Sequence, residues 1–130
     1  MRLIPTLASM VLLVLCMGCE RPLTSMSAKL TATEWTQGGN PDHGRAAIRY
    51  YGCHTCHTIP GITGADATVG PPLTQFAHRS FIAGELPNSP ANLVNWIEHP
   101  HSIEPKTAMP EMGVTDQDAK DIGAYLYTLR

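Results

Sequence analysis

The sequence predicts an all-α domain. Apolar residues recur at helical spacing in several short segments, and no stretch alternates apolar and polar residues as a half-buried strand does. Clusters of glycine and proline separate those segments. The chain has 130 residues, of which 11 are glycine and 11 proline, so a single small domain with much loop follows. A chain of this length buries only a modest core, and a large apolar cofactor would complete its centre. The net charge of −2 leaves no basic stripe to neutralise phosphates, which speaks against a nucleic-acid binder.

The first residues lie outside that domain. Arg2 gives a short positive start, and Leu3 to Met17 is almost entirely apolar. That run of about 15 residues is shorter than the roughly 20 a spanning helix needs, and it reads as a secretory signal over residues 1–18. Leu15-Cys16-Met17-Gly18-Cys19 resembles a bacterial lipobox, with Cys16 standing where leucine is usual. Cys19 is therefore the expected lipid anchor; simple signal cleavage, with Cys19 a bystander, is the alternative. Residues 19–41 are rich in Thr, Ser, Gly and Asn without sustained apolar period and read as a flexible tether. Trp35 within it is expected to rest on the domain surface.

The domain proper spans residues 42–130. Asp42 can cap a helix that runs to Tyr51 and ends at Gly52. Residues 58–73 are loop, and a short helix is expected over Leu73 to Phe81. Ser89 caps a helix that begins at Pro90, carries Leu93, Val94, Trp96 and Ile97, and stops before Pro100. Residues 100–113 form another loop. Thr115 opens the last helix, with Asp118 in the place of a capping-box acid. Ala119, Ile122, Leu126 and Leu129 line one face of it, with Tyr125 alongside.

Cysteine usage narrows the chemistry. With Cys16 and Cys19 assigned to the leader, only Cys53 and Cys56 remain, too few for a disulfide framework. They lie in Cys53-His54-Thr55-Cys56-His57, and C-x-x-C-H is the signature of c-type haem attachment. Each thiol can add to one haem vinyl group, and the adjoining histidine can reach the iron from the same side. A thioredoxin-like dithiol would need a βαβ setting. A zinc site would need two further ligands, and His43, His78, His99 and His101 show no paired spacing with the cysteines. His54, between the cysteines, reads as solvent-facing.

Downstream of this motif stand Gly70-Pro71-Pro72-Leu73, then Thr107-Ala108-Met109-Pro110 and the helix after Val114-Thr115-Asp116. With Gly44, Ile48 and Gly52 upstream, the ordered set resembles a class I cytochrome c over about residues 42–130. The resemblance implies a haem-wrapping fold in which the first and last helices cross, Gly44 and Ile48 meeting Gly123 and Leu126. It implies haem c held through Cys53 and Cys56, His57 as the fifth iron ligand and Met109 as the sixth. Pro71 would accept the Nδ1 hydrogen of the histidine through its carbonyl. Leu73, Ile97 and Trp96 would line the crevice, and Arg79 would face either a propionate or solvent. No lysine ring surrounds the haem edge, so strong steering toward an acidic partner is not expected.

These readings converge on a monohaem electron carrier, membrane-tethered and facing the periplasm. It would pass single electrons between donor and acceptor proteins, with no nucleic-acid partner and no intrinsic enzyme activity, and would be a monomer unless held in a complex. Two other readings stay open. One is a haem subunit fixed in an oxidase or dehydrogenase. The other is a haem enzyme or gas sensor with an open iron site.

Overall fold

The structure is a computed structural model that describes residues 20–130. The leader and Cys19 lie outside the described residues. The elements in chain order are α1 (Glu20–Trp35), α2 (Pro41–Tyr50), β1 (Phe81–Ile82), β2 (Leu86–Pro87), α3 (Pro90–Glu98), α4 (Pro100–Ile103) and α5 (Asp116–Tyr127). Two 3₁₀ turns, Cys53–Thr55 and Phe76–His78, fall between α2 and β1. The all-α class holds, with one two-residue hairpin as its only sheet among the described residues.

The crossing of α2 and α5 organises the molecule. Gly44 sits so close to the backbone of Asp121 and Ile122 that a Cβ there would lie inside van der Waals contact. Around that point Ala47, Ile48, Ala119, Ile122 and Leu126 are buried together. The counterpart of Gly44 is thus the Asp121–Ile122 backbone. Gly123, expected there, instead faces Leu93 and Thr36. Asp121 is a buried carboxylate with two firm partners: it accepts from the Asn40 backbone N–H at 2.7 Å and from Gln117 Nε2 at 2.9 Å. A buried charge needs such partners to be tolerated.

Helix ends follow local chemistry. Asn40, rather than Asp42, caps α2, its side chain accepting from the N–H groups of Asp42 and His43, with Pro41 in the first turn. Pro41 starts the helix because its lost N–H would have had no helical partner. Ser89 caps α3 through the Asn92 N–H, and Thr115 caps α5 through the Asp118 N–H, as expected. Asp118 then turns outward to accept from Thr115 Oγ1 at 2.8 Å and Tyr51 OH at 2.7 Å, binding the end of α2 to the start of α5.

Three expectations need correction. The segment read as a flexible tether is helical over Glu20–Trp35. Its inward face is built of small side chains, Ala32 and Thr36 being 2% exposed, and Trp35 lies edge-on to Tyr127 at 6.3 Å. Such residues show little apolar period, yet they let a helix approach closely. The helix expected over Leu73 to Phe81 is only the turn Phe76–His78, followed by the hairpin. Gln75, at φ 50°, bends the chain left-handed without a glycine to announce it, and Ala83 and Gly84, at φ 53° and 80°, turn the hairpin. The loop expected over residues 100–113 begins with the four-residue helix α4, which Pro100 opens.

Two outcomes follow. Gly44→Ala should cost about 1–3 kcal/mol, as overpacking does, read as a lower thermal midpoint. The Tyr51 hydrogen bond holds the Asp118 carboxyl below its ordinary range, and Asp118 raises the Tyr51 phenol above 10.0. The stability linked to Asp118 is present above the ordinary carboxylate pKa and is lost as pH falls through its lowered value. That linked to Tyr51 is full below 10.0 and is lost as pH rises through its raised value. Tyr51→Phe should therefore lower the melting temperature slightly at neutral pH, with the difference shrinking at both extremes.

Candidate functional site

The site begins where α2 stops. Tyr51 caps α2 with its N–H on the Ala47 carbonyl, and Gly52 at φ 77° turns the chain away from the helix axis. Cys53, His54 and Thr55 then form one 3₁₀ turn, closed by the Cys56 and His57 N–H groups on the Cys53 carbonyl at 3.3 and 3.0 Å. Both cysteines are free thiols and half-buried. Burial pushes the Cys53 thiol up to about 11, so it stays neutral near pH 7.

His57 is held from two directions. Its Nδ1 lies 2.8 Å from the Pro71 carbonyl oxygen. An oxygen acceptor requires a hydrogen on Nδ1, which leaves Nε2 of the neutral ring with its lone pair free. Gly70 lies flat against the ring, where any Cβ would strike the imidazole. Two backbone bonds bracket this contact, Gly70 N–H to the Cys56 carbonyl and Leu73 N–H to the Thr58 carbonyl, each 2.8 Å. Residues 70–73 therefore form a strap that sets the rotation of the histidine.

The strap is itself tied down. Arg79 donates to the carbonyls of Pro72 and Thr74, and its guanidinium stacks 5.5 Å above the Phe76 ring centroid. Arg79 thus spends its donors on the chain, a role its position in sequence does not announce. Asn88 donates to the Phe76 and Arg79 carbonyls and accepts from Tyr127 OH at 2.8 Å, joining the strap region to α5.

Met109 stands in a separate loop, half-buried against the core together with Cys53, Leu73 and Met112. Its N–H donates to Thr107 Oγ1 at 3.2 Å, so the Thr-x-Met spacing is a local turn that fixes the methionine backbone. Trp96 and Ile97 are buried in the core at 9% and 5% exposure. His54 departs from its solvent-facing expectation: it is half-buried, and its Nδ1 is buried without a hydrogen-bond partner.

This arrangement fits a covalently attached haem. Two thiols and an imidazole project from one tight turn. The imidazole is fixed through Nδ1 so that Nε2 is free for iron. Leu73 and Met109 pack on the core yet remain half-buried, as side chains do along the wall of a crevice. The chemistry does not suit a structural zinc, since no group of three or more His, Cys, Asp or Glu able to hold a metal ion exists among the described residues.

Comparison with known proteins bears on the same residues. Residues 42–130 match the family model described as Cytochrome c. The chain is also similar to the "Cytochrome c oxidase subunit 2" of Alkalihalophilus pseudofirmus, with 36% identity over 90 residues, which are 68% of this chain and 25% of that protein. The chain thus spans about a quarter of that curated relative's length. No solved structure matches it.

Gly70→Ala tests the strap. The added methyl should drive the imidazole off the Pro71 carbonyl, and loss of such an outer partner costs about 10–100-fold in metal affinity. The expected result is a smaller low-spin fraction in the absorption spectrum of the haem-loaded protein and a lower melting temperature.

Proposed function

The chain belongs to the cytochrome c family, with haem c attached through Cys53 and Cys56, and on that footing we propose that it is a monohaem electron carrier with His57 and Met109 as its axial ligands. The observation that carries this reading is the fixed imidazole: Nδ1 on the Pro71 carbonyl, Gly70 against the ring, Nε2 free. The family resemblance of Thr107-Ala108-Met109-Pro110 supports Met109 opposite it.

Bound haem supplies a one-electron ferric–ferrous couple. The chain's own residues set the terms on which it works. The strap holds the His57 imidazole against rotation, which would keep its Nε2 oriented toward a bound haem iron as the iron changes oxidation state. The Pro71 carbonyl, by accepting from Nδ1, makes the imidazole a better donor to iron. Met109 offers a soft, neutral sulfur that favours the reduced state and raises the potential. Leu73 and the buried Trp96 and Ile97 hold water away from the crevice. With both axial positions taken, no site remains for substrate, so the protein carries electrons without a catalytic reaction of its own.

Residues 1–18 are proposed to be a signal peptide and Cys19 a lipid anchor, which would hold the domain at the periplasmic face of a bacterial membrane. No helix among the described residues is long and apolar enough to cross a membrane. The partners would be donor and acceptor proteins at that membrane. The similarity to an oxidase subunit favours a second reading, in which the domain is a fixed relay within an oxidase complex. Copurification of a terminal oxidase after detergent extraction would select that reading over the mobile carrier.

Absorption spectra test the ligand set. The native protein should be low-spin, show a ferric methionine–iron charge-transfer band and leave carbon monoxide unbound in the ferrous state. Met109→Ala should lower the reduction potential and admit carbon monoxide. An unchanged potential would place the sixth ligand elsewhere, and ready carbon monoxide binding by the native protein would indicate an open-site enzyme or sensor.

A further inference from the structure

Among the described side chains of α1, Met26 and Leu30 stand exposed on the side away from the domain. The near side of the helix docks through Ala32 and Thr36, both 2% exposed, while Met26 and Leu30 on the opposite side are 63% and 59% exposed. Ser27 and Thr31 lie exposed between them and carry no charge. Lys29, the cation of this stretch, is turned to Asp42 at 2.6 Å. Met26 and Leu30 thus form an exposed apolar pair one turn apart, with the exposed Glu34 a turn further on, on a helix whose first residue, Glu20, directly follows Cys19.

We infer that α1 lies along the surface of a lipid bilayer, with Met26 and Leu30 seated in its interfacial layer. The inference rests on the reading of Cys19 as acylated. An acyl group there places the start of α1 at the lipid headgroups. A helix rises about 1.5 Å per residue, which puts Met26 about 9 Å and Leu30 about 15 Å along the axis from Glu20. Interfacial helices sink their apolar face about 5–10 Å. An upright α1 would lift Leu30 clear of that layer and leave both side chains in water. Lying flat, it brings both to the same depth and turns the docked side, with the haem domain, outward. The domain cannot swing free of α1. Trp35 lies edge-on to Tyr127 at 6.3 Å, Thr36 packs beside Gly123, Gly39 approaches the Lys120 backbone too closely for a Cβ, and the Asn40 N–H is held by Asp121 at 2.7 Å. The orientation of α1 on the bilayer is therefore the orientation of the domain.

The test uses the full-length, acylated, haem-loaded protein on vesicles of phosphatidylcholine and phosphatidylglycerol. With Cys19 acylated and Cys53 and Cys56 in thioethers, Met26→Cys, Leu30→Cys or Glu85→Cys each adds the one thiol that a nitroxide can label. Paramagnetic accessibility is then read with the iron ferrous. Labels at 26 and 30 should be several-fold less accessible to a water-soluble nickel chelate than the label at 85, and more accessible to oxygen. Equal nickel accessibility at all three positions on membrane-bound protein would overturn the inference while leaving the anchor intact. Shielding at 26 alone would mean an upright helix and overturn it. Protein that fails to float with the vesicles would overturn the anchor and the inference together. Shielding that persists in the Cys19→Ser form without vesicles, with a doubled mass, would assign the apolar pair to a second copy instead.

Discussion

The approach of Gly44 to the backbone of Asp121 and Ile122 is the constraint from which the rest of the structure hangs. Two helices meeting at that distance need a residue without a side chain at the contact, and they need the polar groups trapped beside it to be satisfied. Asp121 does the second task by accepting the Asn40 N–H, so the carboxylate that would be costly to bury becomes the clamp that starts α2. Thr36 and Gly39 then set α1 on the same helix. The cysteine turn follows directly from the end of α2, and the strap is linked to Tyr127 of α5 through Arg79 and Asn88.

From that frame the site is assembled by short, local devices. The end of α2 delivers the cysteine turn, and the strap of residues 70–73 is laced to the next residues by backbone bonds on either side of His57. Arg79 and Asn88 fasten the strap to the Phe76–His78 turn and to Tyr127. The loop bearing Met109 is held by the Thr107 hydroxyl. Rigidity at a redox centre made mostly of loop thus comes from side chains that satisfy backbone carbonyls and amides, since the loops have few ladder bonds of their own.

Much of this was legible in the sequence, and the parts that were not share a cause. α2, α3 and α5 announce themselves because caps and apolar spacing are local signals, as at Ser89 and Thr115. The cysteine turn, Pro71 and Met109 are legible as an ordered motif. The helicity of α1 is not, because its docking face is Ala32 and Thr36, residues that serve close approach rather than area and leave no apolar stripe. The function of Gly70 depends on where the ring of His57 lies, which only the folded chain determines. Arg79 looks like any surface cation until the Pro72 and Thr74 carbonyls are placed beneath it. The left-handed turn at Gln75 has no glycine to mark it.

The helix crossing also sets an order of events along the chain. Asn40 and Asp121 are 81 residues apart, and closing so long a loop carries an entropic cost that only late, cooperative contacts repay. Once it closes, Cys53 is half-buried and its thiol is held neutral. The crossing therefore ties the start of α2, just ahead of the cysteine turn, to the last helix of the chain.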